Sequence, residues 1–161
     1  MKISKNKKGF IFLEVIISIS LISIVFIALF SVGFSSLNVS QSLQLQSKAD
    51  ALLKEELEAL RAFRDSTAST WSANGVGSFT IGSDYHMVYG GSPETWSVVS
   101  GSETVGEITR KIVFEQALRD VNGNIVSSGG TNDPDTRKIT AEASFGSKTY
   151  QIVTYLTNWQ K

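Results

Sequence analysis

Glu14 is the one ionisable side chain in a stretch of 21 residues, Phe10 to Phe30, that reads FIFLEVIISISLISIVFIALF. A lone carboxylate in hydrocarbon costs about 2.5–3.5 kcal/mol on insertion scales, and less towards a helix end. A chain that keeps one there needs a partner for it. Lys2, Lys5, Lys7 and Lys8 stand before the stretch, and Gly9 separates them from it. Cutting between Gly9 and Phe10 would free an α-amine on Phe10. That cation would lie one helical turn from the chain's own Glu14, and within reach of Glu14 on an adjacent copy. At ~4 Å such a pair is worth on the order of 4 kcal/mol at an effective dielectric of 20, before desolvation. The offset of Phe10 from Glu14 would also set the axial stagger between neighbouring helices.

Little else in the chain has the pattern of a reacting group. Cysteine is absent, which excludes disulfides, thiolate metal sites and thiol nucleophiles. His86 is the single histidine, so any Ser-His-Asp arrangement would have to use it. Within DYHMVYG it reads as a strand residue instead. No HExxH, CxxC or Walker-type glycine loop occurs. DVNGN, with Asp120, Asn122 and Asn124, and TNDPDTR, with Asp133 and Asp135, carry hard oxygen ligands of the kind calcium takes. The simpler reading is a hairpin turn and an Asx/Pro turn, so no metal and no cofactor are expected. Trp71, Trp96 and Trp159 are expected to pack in the core or at a sheet edge rather than to act as adhesive aromatics. No enzymatic activity is expected.

The 15 basic and 15 acidic residues balance over the whole chain, but four of the basic ones precede Gly9. A chain starting at Phe10 carries 11 basic against 15 acidic residues, a poor electrostatic ligand for nucleic acid. As a helix, residues 10–30 would be roughly 31 Å long, about the hydrocarbon thickness of a bilayer. The preceding lysines keep the N-terminus cytoplasmic. A secretory signal peptide has a shorter apolar core and an A-x-A-like end, and Ser31-Val32-Gly33-Phe34-Ser35 fits that poorly. An ordinary single-pass anchor, carrying an extracytoplasmic binding domain and forming no filament, explains the stretch and the lysines but not Glu14.

KKGFIFLEV resembles the class III signal of type IV pilins and pseudopilins: a short basic leader, Gly, Phe, three mostly apolar residues, then Glu. The resemblance implies that a membrane prepilin peptidase cleaves after Gly9 and N-methylates Phe10, and that Glu14 is the assembly glutamate. It implies a helix that first anchors the subunit in the bacterial cytoplasmic membrane and then packs in a filament core. The partners it implies are other pilin subunits, the peptidase, membrane lipid and an inner-membrane assembly machine with its own ATPase. The subunit would end in a cell-surface pilus or an envelope pseudopilus. Calcium in the loops of some pseudopilins is an analogy of the same kind. Two departures are visible. Ile11 follows Phe10 where the family commonly has Thr or Ser. Ser31 lies where many members carry a kinking proline, so a bend here would have to come from Gly33 and its serine neighbours. LLKEELEALRAFRDS resembles the matching segment of PilV-type minor pilins, which makes a minor pilin the expectation and a pseudopilin of a secretion or DNA-uptake system the alternative.

The elements that would carry this site follow from periodicity. Leu45, Ala49, Leu52, Leu53, Leu57, Leu60 and Phe63 recur at spacings of three and four, with Gln41, Lys48, Asp50, Lys54, Glu55, Glu58 and Arg61 opposite. The helix should therefore continue to about residue 65, although the serine-rich patch Ser31–Ser42 weakens continuity. Beyond it, SFTIG, DYHMVYG, WSVVS, EITRKIVFEQALRD, RKITAEASF and KTYQIVTYLTNW read as strands. In the fourth of these Ile108, Ile112, Phe114 and Leu118 should face one way. In RKITAEASF the inward set is Ile139, Ala141, Ala143 and Phe145. Asn122-Gly123 and Gly146-Ser147 should turn hairpins. The expected organisation is a leader (1–9), an anchoring helix (10–30), its amphipathic continuation (31–65) and a β-rich head (66–161). The fold class is α+β, with a long N-terminal helix under an antiparallel sheet.

Overall fold

The computed structural model describes residues 7–159. One helix, α1, runs from Lys7 to Ser66 without interruption. No proline occurs before Pro93, and the serines do not compete with the helix. Ser18, Ser20 and Ser23 each turn their hydroxyl back onto the carbonyl four residues earlier, at 2.8 Å. The serine-rich patch from Ser31 to Ser42 likewise remains helical, as does Gly33. The chain divides into two compact units, residues 1–44 and 45–161. The described residues of the first, 7–44, belong to α1. Its large apolar side chains, from Ile11 to Leu43, are all exposed.

In the second unit α1 packs its stripe on an antiparallel sheet. Ala49, Leu53, Leu57, Ala59 and Leu60 are buried against Ile108, Ile112, Phe114, Ile139, Ala141, Ala143 and Leu156. Leu52 and Phe63 flank this core, so the predicted stripe is the buried one. The strands are β1 (Asp84–Gly90), β2 (Thr95–Ser100), β3 (Glu103–Val105), β4 (Ile108–Arg119), β5 (Ile125–Val126), β6 (Thr131–Phe145) and β7 (Lys148–Thr157). Their spatial order is β2-β1-β4-β6-β7, with β3 and β5 also pairing with β4. β6 alternates as the sequence predicts: Ile139, Ala141 and Ala143 are fully buried, and Phe145 packs at the margin of the core. Both glycine turns form. Gly123 (φ 84°) and Gly146 (φ 55°) hold the left-handed backbone that a side chain disfavours.

Two expectations need correction. Leu118 does not share the inward face of Ile108, Ile112 and Phe114. The β4–β6 register shifts between Gln116 and Ala117, where β6 carries Pro134–Thr136 as extra residues. That irregularity inverts the alternation, and Ala117 becomes the buried residue. SFTIG is not a strand. Val76–Ser78 form a turn of 3-10 helix, and Ile81-Gly82 turn into β1. Between them Phe79 stacks on Phe114, with ring centroids 4.9 Å apart, and also contacts Phe63 and Tyr85. Its aromatic ring serves as a core plug rather than as one step of a β alternation.

Candidate functional site

Gly9 and Phe10 lie in the first turns of α1, while residues 1–6 of the expected leader lie outside the described residues. Glu14 follows one turn after Phe10 and is exposed. Its backbone carbonyl accepts the Ser18 hydroxyl, and none of the described side chains forms an ion pair with its carboxylate. Around and after it the helix is apolar on every side: its most apolar 18-residue window has a mean hydropathy of 2.9, and none of that window is buried. Among the described residues this is the one helix long and apolar enough to cross a membrane. Because Ser18, Ser20 and Ser23 bond within their own helix, they place no polar demand on whatever surrounds it. Glu14 does. A Cβ at Gly33 would meet no atom within 4 Å, so a notch opens there between Phe30, Phe34 and Leu37.

The remaining sequence candidates serve the head's own structure. Both carboxylate oxygens of Asp120 accept hydrogen bonds across its turn, Oδ1 from the Asn122 and Asn124 amides and Oδ2 from Asn124 Nδ2. These donors pull the Asp120 carboxyl below its ordinary range. Asp133 accepts from Arg119 Nε at 2.6 Å, from the Thr136 hydroxyl and from the Asp135 amide. Arg119 also donates to the Gly123 carbonyl, which ties the β4–β5 turn to β6. Asp120 and Asn122 thus sit in that turn, whereas Asp133 and Asp135 lie within β6, at its irregular start, and not in a separate turn. Among the described residues no group of three or more acidic or histidine side chains could hold a metal. His86 has its Nδ1 3.0 Å from the Gly101 carbonyl and helps close the β2–β3 turn. Trp71 is buried and donates to the Pro134 carbonyl at 3.1 Å. Trp96 packs against Tyr89, and Trp159 donates to Asp65 at the end of α1.

The head also buries an ionic cluster that the sequence reading missed. β4 is paired with β1 at Ile112 and Val113, but with β3 from Ile108 to Arg110. Past Tyr85, β1 therefore diverges from β4. Glu56 of α1 fills the fork: fully buried, it accepts the Met87 amide through Oε2 at 3.0 Å. Arg110, also buried, gives Nε to Glu103 at 2.8 Å and Nη1 to Glu55 at 3.1 Å. Glu56 Oε1 is 3.0 Å from Arg110 Nε, an ion-pair distance, yet it accepts no hydrogen bond because that N–H is directed at Glu103. One guanidinium is shared by three carboxylates. Burial pushes the Glu56 carboxyl up to about 7, against the pull of Arg110 and the Met87 amide. A signal existed in the sequence. Arg110 has the parity of Ile108 and Ile112, and Glu56 sits between Leu53 and Leu60 in the apolar stripe, so each charge occupies an inward position. Comparisons with family models, curated proteins and solved structures find no match to this chain.

Proposed function

We propose that this chain is a structural, non-enzymatic filament subunit, a minor pilin of the type IV kind, inserted in the cytoplasmic membrane and then assembled through α1. The observation that carries the reading is Glu14: a single exposed carboxylate near the start of a long apolar helix, four residues after a Gly9-Phe10 junction. Lipid accommodates the apolar side chains but not the carboxylate. A neighbouring copy that brings a freed Phe10 amine accommodates both. The helix can supply that contact because it is continuous and its serines are already satisfied. The α+β head, with the stripe of α1 under an antiparallel sheet, supports the reading at the level of architecture.

The roles divide as follows. Gly9 leaves room for a peptidase at the scissile bond, Phe10 becomes the methylated terminus, and Glu14 neutralises that terminus and sets the stagger. Before assembly, lipid surrounds residues 10–30. Afterwards other subunits do, under the drive of an assembly ATPase. Mass spectrometry of the N-terminal peptide from the native host tests the processing step. A chain beginning at methyl-Phe10 is expected. Recovery of the intact chain beginning at Met1 would overturn the reading in favour of a single-pass anchored domain.

A further inference from the structure

We propose that the β1–β2 hairpin is a hinged arm, latched to α1 by Glu56 and released as that carboxyl loses its proton. The two strands pair with each other over six residues, Tyr85–Gly90 against Thr95–Ser100. To the rest of the sheet β1 is joined by only two, Asp84 with Val113 and Tyr85 with Ile112. Beyond Tyr85 the place beside β4 is taken by β3, which pairs with Ile108–Arg110. The outer part of the arm therefore has a ladder on one side only. Its apolar anchorage is thin as well. Met87 is the one buried residue of β1 and β2, while Trp96 and Val98 are half-buried and Tyr89 is exposed. An element with so few backbone bonds and buried contacts to its surroundings opens more readily than the core.

Glu56 closes the gap. Its Oε2 accepts the Met87 amide at 3.0 Å, in place of the acceptor that a continuing ladder would have supplied. The charges around it come from four elements: Glu55 beside it on α1, Glu103 on β3, Arg110 on β4 and His86 on β1. β2 carries no ionisable side chain. Arg110 and His86 favour the carboxylate and Glu103 opposes it. The Arg110 guanidinium is divided between Glu55 and Glu103, so Glu56 Oε1 has no hydrogen bond inside the head. A neutral carboxyl is tolerated there, whereas a carboxylate calls for water. Swinging the arm outward about Asp84-Tyr85 and the Gly101-Ser102 link would admit that water and leave the β3–β4, β4–β6 and β6–β7 ladders in place. With the arm closed, burial holds the proton to about pH 7; with the arm open, the carboxyl returns towards its ordinary 4.5. Opening therefore becomes more frequent as pH rises from about 4.5 to about 7, and levels off above. The arm lies wholly within the head, so the inference stands apart from the filament reading.

Hydrogen exchange followed by mass spectrometry tests it on the full chain in detergent micelles, with labelling times scaled for the intrinsic pH dependence of amide exchange. An undocked two-stranded hairpin is marginally stable, so its amides exchange once the arm opens. From pH 6 to pH 8 the corrected exchange of peptides within residues 84–100 should rise about tenfold, while peptides of β6 and β7 keep their protection. In Glu56→Gln the arm should exchange at the same corrected rate at both pH values, and in His86→Gln the rise should persist. Should the glutamine variant at 56 fail to fold by far-ultraviolet circular dichroism, the natural chain still decides: a rise confined to 84–100 upholds the latch, and one shared by residues 131–157 overturns it. No rise, a rise that survives in folded Glu56→Gln, or one abolished by His86→Gln would overturn it too.

Discussion

Replacing Glu56 by Gln should flatten the pH dependence of the head. The carboxyl is held at about 7 in the folded chain against an ordinary 4.5. A folded-state value above the unfolded one means that the native state holds its proton more tightly. Its contribution is therefore fully present below about pH 4.5 and is lost as pH rises through about 7. A rise of this size corresponds to about 3 kcal/mol at 1.36 kcal/mol per unit, and sharing of Arg110 with Glu55 and Glu103 makes ~1–3 kcal/mol the working range. Asp120, Asp133 and Glu115 are held below their ordinary range, so their contributions change at more acid pH than that of Glu56. Glutamine keeps an acceptor for the Met87 amide and removes the charge, as protonation does. Thermal unfolding of the full chain in micelles, followed by near-ultraviolet dichroism to report on the head, should show the natural chain losing several degrees between pH 5 and pH 8. Glu56→Gln should lose little. The same slope in both proteins would refute the assignment of a buried, proton-binding carboxylate at the β1–β3 fork.

Arg110→Met should destabilise the head by about 3–5 kcal/mol at pH 8, because it leaves Glu56 buried without a cation, and by clearly less at pH 5. Denaturant unfolding at the two pH values measures the difference. Gly77→Ala should cost about 1–3 kcal/mol, since the new Cβ would sit 2.6 Å from Trp71 Cδ1 and the indole is pinned by its hydrogen bond to Pro134. A lowered unfolding temperature with shifted tryptophan fluorescence is the expected result.

What the sequence made legible was set by whether a single periodicity governed a segment. From Leu45 to Phe63 the 3.6-residue pattern is strong, and the buried stripe is the predicted one. Along RKITAEASF the two-residue pattern is clean, and the inward set is again the predicted one. Where periodicity is broken by pairing, the reading fails. Nothing local to Leu118 announces that β6 inserts three residues opposite it, so the face switches to Ala117 unseen. Phe79 looked like a strand residue because it is aromatic and flanked by Thr80 and Ile81. Its position is set instead by the rings of Phe63, Tyr85 and Phe114, which are distant in sequence. Glu56 and Arg110 escaped notice for another reason. A charge inside an apolar stripe is explained only by its partner, and that partner lies on a different element. At the N-terminus the proposed chemistry rests on local spacing alone, which is why Gly9, Phe10 and Glu14 are singled out by the sequence without reference to the fold.

The most direct test of the central idea compares Glu14→Ala with the natural chain in the native host, scoring both leader removal and recovery in sheared surface filaments or envelope pseudopili. The variant is expected to be cut after Gly9 as before and to reach the membrane, but to be largely missing from the polymer. Undiminished incorporation of the alanine chain would contradict it, because a helix without that carboxylate would then find its neighbours equally well.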